Sequence, residues 1–121
     1  MKTSCVLHAD DDAQFRDLLR DTVASDVLEW IEADSGGKAW DIFRRRGESI
    51  SLIVTDGHMP NGDGLWLLSQ IQASPFERPV LFLSSDMDFV GKSWLAGAAR
   101  GMNKTTPILE LREVILSLLD K

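Results

Sequence analysis

The chain has 121 residues, of which 44% are hydrophobic and 26% charged, with a formal net charge of −6. That length and balance predict one globular domain over residues 1–121, with enough apolar side chains to build a core without staples. The acidic surplus argues against direct nucleic-acid binding, no apolar run reaches membrane-spanning length, and the lone Cys5 excludes an internal disulfide, so a cytoplasmic setting is expected.

Val6-Leu7-His8-Ala9 reads as a short strand stopped by Asp10-Asp11-Asp12. Cys5 reads as a small buried residue at its start, and His8 as a packed core histidine. A helical stripe follows at Phe15, Leu18, Leu19, Thr22 and Val23, with Asp12 as its N-cap. Val27 to Ala33 alternates loosely, as an edge strand would, and Asp34-Ser35-Gly36-Gly37 breaks it. Ala39, Trp40, Ile42 and Phe43 form a second helical face; Arg44-Arg45-Arg46 complements its C-terminal dipole and Gly47 caps it. Ser51 to Thr55 is apolar and delivers Asp56, after which Gly57-His58-Met59-Pro60 cannot extend the strand.

A turn-rich loop runs from His58 to Gly64, and a helix carrying Leu65, Leu67, Leu68 and Ile71 closes at Ser74-Pro75. Val80 to Leu83 is a central strand ending on Ser84. Phe89, Val90, Trp94 and Leu95 form a short helix ended by Gly97. Gly101-Met102-Asn103 is a brief strand ending on Lys104, and Pro107 opens a last helix with Ile108, Leu111, Val114, Ile115, Leu118 and Leu119 inward. Regular β-α alternation with short connections predicts an α/β fold. Five strands form a doubly wound parallel sheet, the flavodoxin-like order being 2-1-3-4-5.

In a parallel sheet all strand C-termini share one edge, where ligands of such folds bind. Asp10, Asp11, Asp56, Ser84 and Lys104 would meet there around one cleft. Three carboxylates repel one another unless a cation sits among them, and hard oxygen ligands suit Mg²⁺. A metal, a carboxylate nucleophile and a cationic clamp are the parts of phosphoryl transfer. Competing motifs fail. Gln14 and Phe15 fall where an EF-hand needs an acid and a glycine, Gly62-Asp63-Gly64 lacks the third dinucleotide glycine, and Ser84, His58 and Asp56 lack a nucleophile elbow.

At these residues the chain resembles the receiver domain of two-component response regulators, the CheY-like family. The matching pieces are Asp10-Asp11 after Val-Leu-His-Ala, Leu-Ile-Val-Thr-Asp56 with Met59-Pro60 and Asp63-Gly64, Phe-Leu-Ser84-Ser85, Ala96-Gly97-Ala98, and Lys104. The resemblance implies that Asp56 accepts a phosphoryl group from a histidine kinase or histidine phosphotransfer protein and loses it slowly by self-dephosphorylation. It implies Mg²⁺ ligation by Asp11, Asp56 and the backbone carbonyl of His58, with Asp10 acting through bound water. Ser84 and Lys104 would bind the phosphoryl oxygens. An effector or a second copy would dock on the face made by helix four, strand five and helix five. Such a chain is a phosphoacceptor rather than a turnover enzyme.

Three departures from the family fall on that face. Gly101 replaces the usual switching aromatic, Thr105 replaces the proline after the lysine, and helix four is short. They keep open a second expectation, a receiver-fold binding module with constitutive output.

Overall fold

The computed structural model describes residues 4–120. Strands β1 (Cys5–Ala9), β2 (Glu29–Ala33), β3 (Leu52–Asp56), β4 (Val80–Ser84) and β5 (Arg100–Asn103) alternate with helices α1 (Ala13–Val23), α2 (Gly36–Arg46), α3 (Gly64–Ala73), α4 (Met87–Leu95) and α5 (Ile108–Leu119). The strands pair in parallel in the order β2-β1-β3-β4-β5, as the β-α alternation predicts. Side chains alternate between the two faces of each strand. Leu7, Ala9, Ile53 and Phe82 pack with Ala39 and Phe43 of α2 and with Leu67, Leu68 and Ile71 of α3. Val6, Leu52, Val54, Leu81 and Leu83 pack with Leu19 and Val23 of α1 and with Leu111 and Ile115 of α5. β1, β3 and β4 are buried along their whole length, which is why they read as continuous apolar runs.

Asp12 caps α1 as predicted, its carboxylate accepting from the N–H groups of Gln14 and Phe15. Leu18 departs from the predicted stripe. It lies 49% exposed, because consecutive helical residues are about 100° apart and Leu19 and Val23 set the inward direction. β2 ends at Ala33, just before the predicted break at Asp34-Ser35, but Gly36 and Gly37 are already the first residues of α2, which Ser35 caps through Lys38 N–H. A Cβ on Gly36 would come 2.0 Å from the carbonyl oxygen of Gly62, and Gly37 N–H donates to Asn61 O at 2.6 Å. The loop after β3 is thereby held against the start of α2. Asn61 and Gly62 turn it with φ of 54° and 104°.

Helix α4 is nine residues long, stubby as expected, and ends where Gly97 takes a φ of 99°. Its inward residues are Val90 and Ser93, whereas Trp94 and Leu95 are 48% and 92% exposed. The expected apolar face is therefore half wrong. Ser93 takes the inward place because β5 offers bare backbone at Gly101. All described peptide bonds are trans, including the one before Thr105. Among the described residues, no helix is long and apolar enough to cross a membrane.

Candidate functional site

The sheet edge brings Asp10, Asp11, Asp56 and Lys104 together. Asp10 directly follows β1 and is 1% exposed. Its Oδ1 accepts from Asp12 N–H at 2.9 Å and from Lys104 Nζ at 3.1 Å; its Oδ2 lies 2.9 Å from the same ammonium. Lys104 also donates to Asp56 Oδ2 at 3.3 Å and sits 4.8 Å over the ring of Phe15. Asp56 Oδ1 accepts from Gly57 N–H at 2.8 Å, the first amide beyond β3. Asp10, Asp11 and Asp56 each offer one oxygen, and these all lie within 4.8 Å of one another. Asp11 is exposed while Asp10 and Asp56 are buried, so the cluster opens to solvent on the Asp11 side.

Burial pushes the Asp10 carboxyl up to about 6, against the pull of the Asp12 amide and Lys104. Burial also raises Asp56, with Lys104 opposing. Lys104 is held above its ordinary value, because its bonds to Asp10 and the charges of Asp10 and Asp56 outweigh desolvation. The site therefore holds two carboxylates that resist ionising beside one ammonium that favours it.

Ser84, at the end of β4, is buried beside Gly57: a Cβ there would meet its hydroxyl at 2.8 Å. Ser84 Oγ accepts from Asp86 N–H at 3.0 Å. Asp86 in turn caps α4 through Asp88 and Phe89 N–H. His58 is exposed at the mouth of the site. Its Nε2 lies 3.0 Å from Asp86 Oδ2, a bond that holds the Asp86 carboxyl below its ordinary range, and its ring stacks 4.1 Å from Phe89.

Two supporting residues had weak sequence signals. Asp86 precedes an apolar helical segment, the usual mark of an N-cap, yet its partner His58 is 28 residues away and carries no local signature. Arg16 is one of several charged residues on α1 and carries no motif, but its Nη1 donates to the carbonyl of Asp10 at 2.7 Å and its Nε to Glu32 at 3.2 Å. It ties the end of β1 to β2. His8 is a core histidine, as read from the sequence. It is fully buried against Phe15 and Trp30, and burial together with Lys104 and Arg16 lowers its imidazole to about 3.

A parallel five-stranded sheet with acids and a lysine on its carboxyl edge defines the class, a doubly wound α/β domain with an acidic site at the strand ends. The chain belongs to the response regulator receiver domain family, whose model matches residues 6–116. A two-component response regulator of Arabidopsis thaliana is 33% identical over 93 residues, covering 77% of this chain and 15% of its own length. The receiver domain of a Francisella response regulator superposes with a TM-score of 0.87 over 97% of each chain at 24% identity. A structure of a CheX-CheY-BeF3-Mg complex from Borrelia burgdorferi matches at a TM-score of 0.84 and 21% identity, over 98% of this chain and 90% of that one. Likeness at such identities establishes the fold. The chain spans between 15% and 27% of the length of the first curated relatives it matches.

Proposed function

We propose that Asp56 is the phosphoacceptor of this receiver domain, taking its phosphoryl group from a histidine kinase or histidine phosphotransfer protein. The observation that carries this reading is the placement of Lys104 Nζ 3.3 Å from Asp56 Oδ2, beside a cluster of three carboxylates. An Asp56 oxygen attacks phosphorus as the bond from phosphorus to the donor nitrogen breaks. Lys104 then follows the negative charge from Asp10 toward the new phosphoryl oxygens. The Ser84 hydroxyl, now held by Asp86 N–H, supplies a second contact to them.

The donor set suits Mg²⁺. Oxygens on opposite sides of an octahedral Mg²⁺ shell lie about 4.2 Å apart, so a cluster confined to 4.8 Å needs only small side-chain movements to embrace the ion. Asp11, Asp56 and the His58 carbonyl would hold it directly and Asp10 through water. When bound, Mg²⁺ supplies neutralisation of the charge on the phosphoryl oxygens. The Borrelia complex, which has the same fold, is described with BeF3 and Mg, in keeping with a metal at this sheet edge. A constitutive binding module would have no use for a half-buried lysine shared by two carboxylates, which favours the phosphorylated reading.

Incubation with acetyl phosphate and Mg²⁺ followed by intact-mass measurement tests it. One phosphoryl adduct is expected, and none in Asp56→Asn. An unmodified wild-type chain, with acetyl phosphate and with a competent kinase alike, would sink the reading.

A further inference from the structure

His8 is the least explained residue near the site. Its position on β1 faces the layer formed by α1 and α5, and its partners in the strand register are Val54 and Glu32. Both ring nitrogens are buried without a hydrogen-bond partner. A neutral imidazole always carries one N–H, so one buried donor stands idle in this state. Idle buried donors are rare and destabilising, and a functional state that uses them is one of the few reasons to keep them.

The idle group points toward the site. His8 Nε2 is 3.9 Å from Asp10 Oδ2, too far for a hydrogen bond and close enough to become one by a small rotation of either side chain. Lys104 stands 2.9 Å from that same Oδ2. While the ammonium stays, Asp10 is satisfied and His8 has nothing to do. Once the ammonium leaves, Asp10 is a buried carboxylate whose remaining protein partner is the Asp12 amide on Oδ1. A carboxylate left so at 1% exposure needs a new donor.

We propose that neutral His8 is a positioning residue, donating from Nε2–H to Asp10 Oδ2 when Lys104 moves from Asp10 to a phosphoryl group on Asp56. The inference rests on Asp56 being the phosphoacceptor. In this role His8 fixes the direction of the Asp10 carboxylate in the phosphorylated state, where Asp10 must orient water around the metal. It touches neither the metal nor the phosphoryl group. Replacing Lys104 by an uncharged donor from below leaves Asp10 anchored in both states.

The chain has two histidines, so ¹⁵N-histidine NMR resolves His8 from His58 directly. Spectra are recorded on the free protein and after adding Mg²⁺ and beryllofluoride, which mimics the phosphoryl group. The expected result is a His8 Nε2–H tautomer whose proton moves downfield on loading. A His8 Nδ1–H tautomer, or a His8 spectrum unchanged in protein that has demonstrably loaded, overturns the proposal while leaving Asp56 as acceptor. If beryllofluoride and acetyl phosphate both fail to load Asp56, the functional reading fails and this inference falls with it.

Mg²⁺ titrations of His8→Leu and His8→Gln give an independent readout. Without beryllofluoride, His8→Leu is expected to bind Mg²⁺ within about twofold of wild type; with beryllofluoride it is expected to bind about tenfold more weakly. His8→Gln, which keeps a donor, should recover part of that loss. Equal weakening in both states would mean that His8 only packs, and would overturn the proposal.

Discussion

Trp94 of α4 covers the backbone of Gly101 in β5: a Cβ at Gly101 would lie 3.1 Å from the indole Nε1 and 2.5 Å from Ser93 Oγ. The family's usual aromatic at this strand position is missing, but the space above it is filled by an aromatic from the neighbouring helix. The same short helix is joined to the site through Asp86, which caps it, bonds Ser84 and faces His58.

Gly101→Ala is therefore expected to lift α4 from β5. The methyl group must displace a hydroxyl and an indole edge, overpacking that costs about 1–3 kcal/mol. Urea unfolding should give a lower midpoint at an unchanged m-value, and the Trp94 indole N–H resonance should shift. A variant as stable as wild type, with Trp94 unmoved, would mean that α4 already stands clear of β5.

The loop that follows Asp56 depends on a residue twenty positions before it. Gly36→Ala places a methyl group against the Gly62 carbonyl, where contact would be 2.0 Å and the atoms it meets are backbone that cannot swing aside. The loop from His58 to Asp63 has to retreat, carrying the His58 carbonyl with it. We expect a loss of about 2 kcal/mol or more in stability, together with weaker Mg²⁺ binding although no ligand side chain has changed. Isothermal titration with Mg²⁺ alongside denaturant unfolding separates the two effects; unchanged Mg²⁺ affinity would show that the loop's metal-facing part is independent of α2.

Much of this was legible because the signals were local. Buried parallel strands announce themselves as apolar runs, and polar residues at their ends need only a topology to be brought together. That reasoning brings Asp10, Asp11, Asp56, Ser84 and Lys104 to one sheet edge, where the structure has them. What stayed hidden depends on residues far apart in sequence. Nothing around Gly36 states that Gly62 will lie on it, and Gly101 reads as a lost aromatic until Trp94 is seen above it. Leu95 misled for a simpler reason: a nine-residue helix on the sheet margin can bury only a narrow stripe, and hydrophobicity alone does not reveal where that stripe is centred.

The pH response of the metal-free protein follows from Asp10. Its carboxyl titrates at about 6 when folded, above its ordinary value of 3.8, so the folded state holds a proton that the unfolded state has released between those values. The stabilisation from this group is complete below pH 3.8 and is lost as pH rises through about 6. Asp10→Asn cannot ionise and escapes the loss. Without metal, this variant should be more stable than wild type by about 1–2 kcal/mol at pH 7.5, with the gap closing below pH 4. On the proposed Mg²⁺ site the substitution removes one carboxylate of the cluster, so adding Mg²⁺ should narrow or reverse the difference. Parallel stability curves for the two proteins across this range would contradict the assignment.

The bridge between His58 and Asp86 spans the mouth of the site from the loop after β3 to the start of α4. Its ring stacks on Phe89 and its Nε2 bonds Asp86, so the imidazole is held as a cover. Water must reach phosphorus in line with the Asp56 oxygen to hydrolyse a phospho-aspartate, and a held side chain at the mouth restricts that approach. His58→Ala removes both the stack and the bond. The phosphorylated variant should lose its adduct several-fold faster than wild type, followed by intact mass after removal of acetyl phosphate. Asp86→Asn, which keeps an α4 cap and weakens only the charge in the bridge, should fall between the two. Equal lifetimes for all three proteins would place the path of the attacking water elsewhere, away from His58.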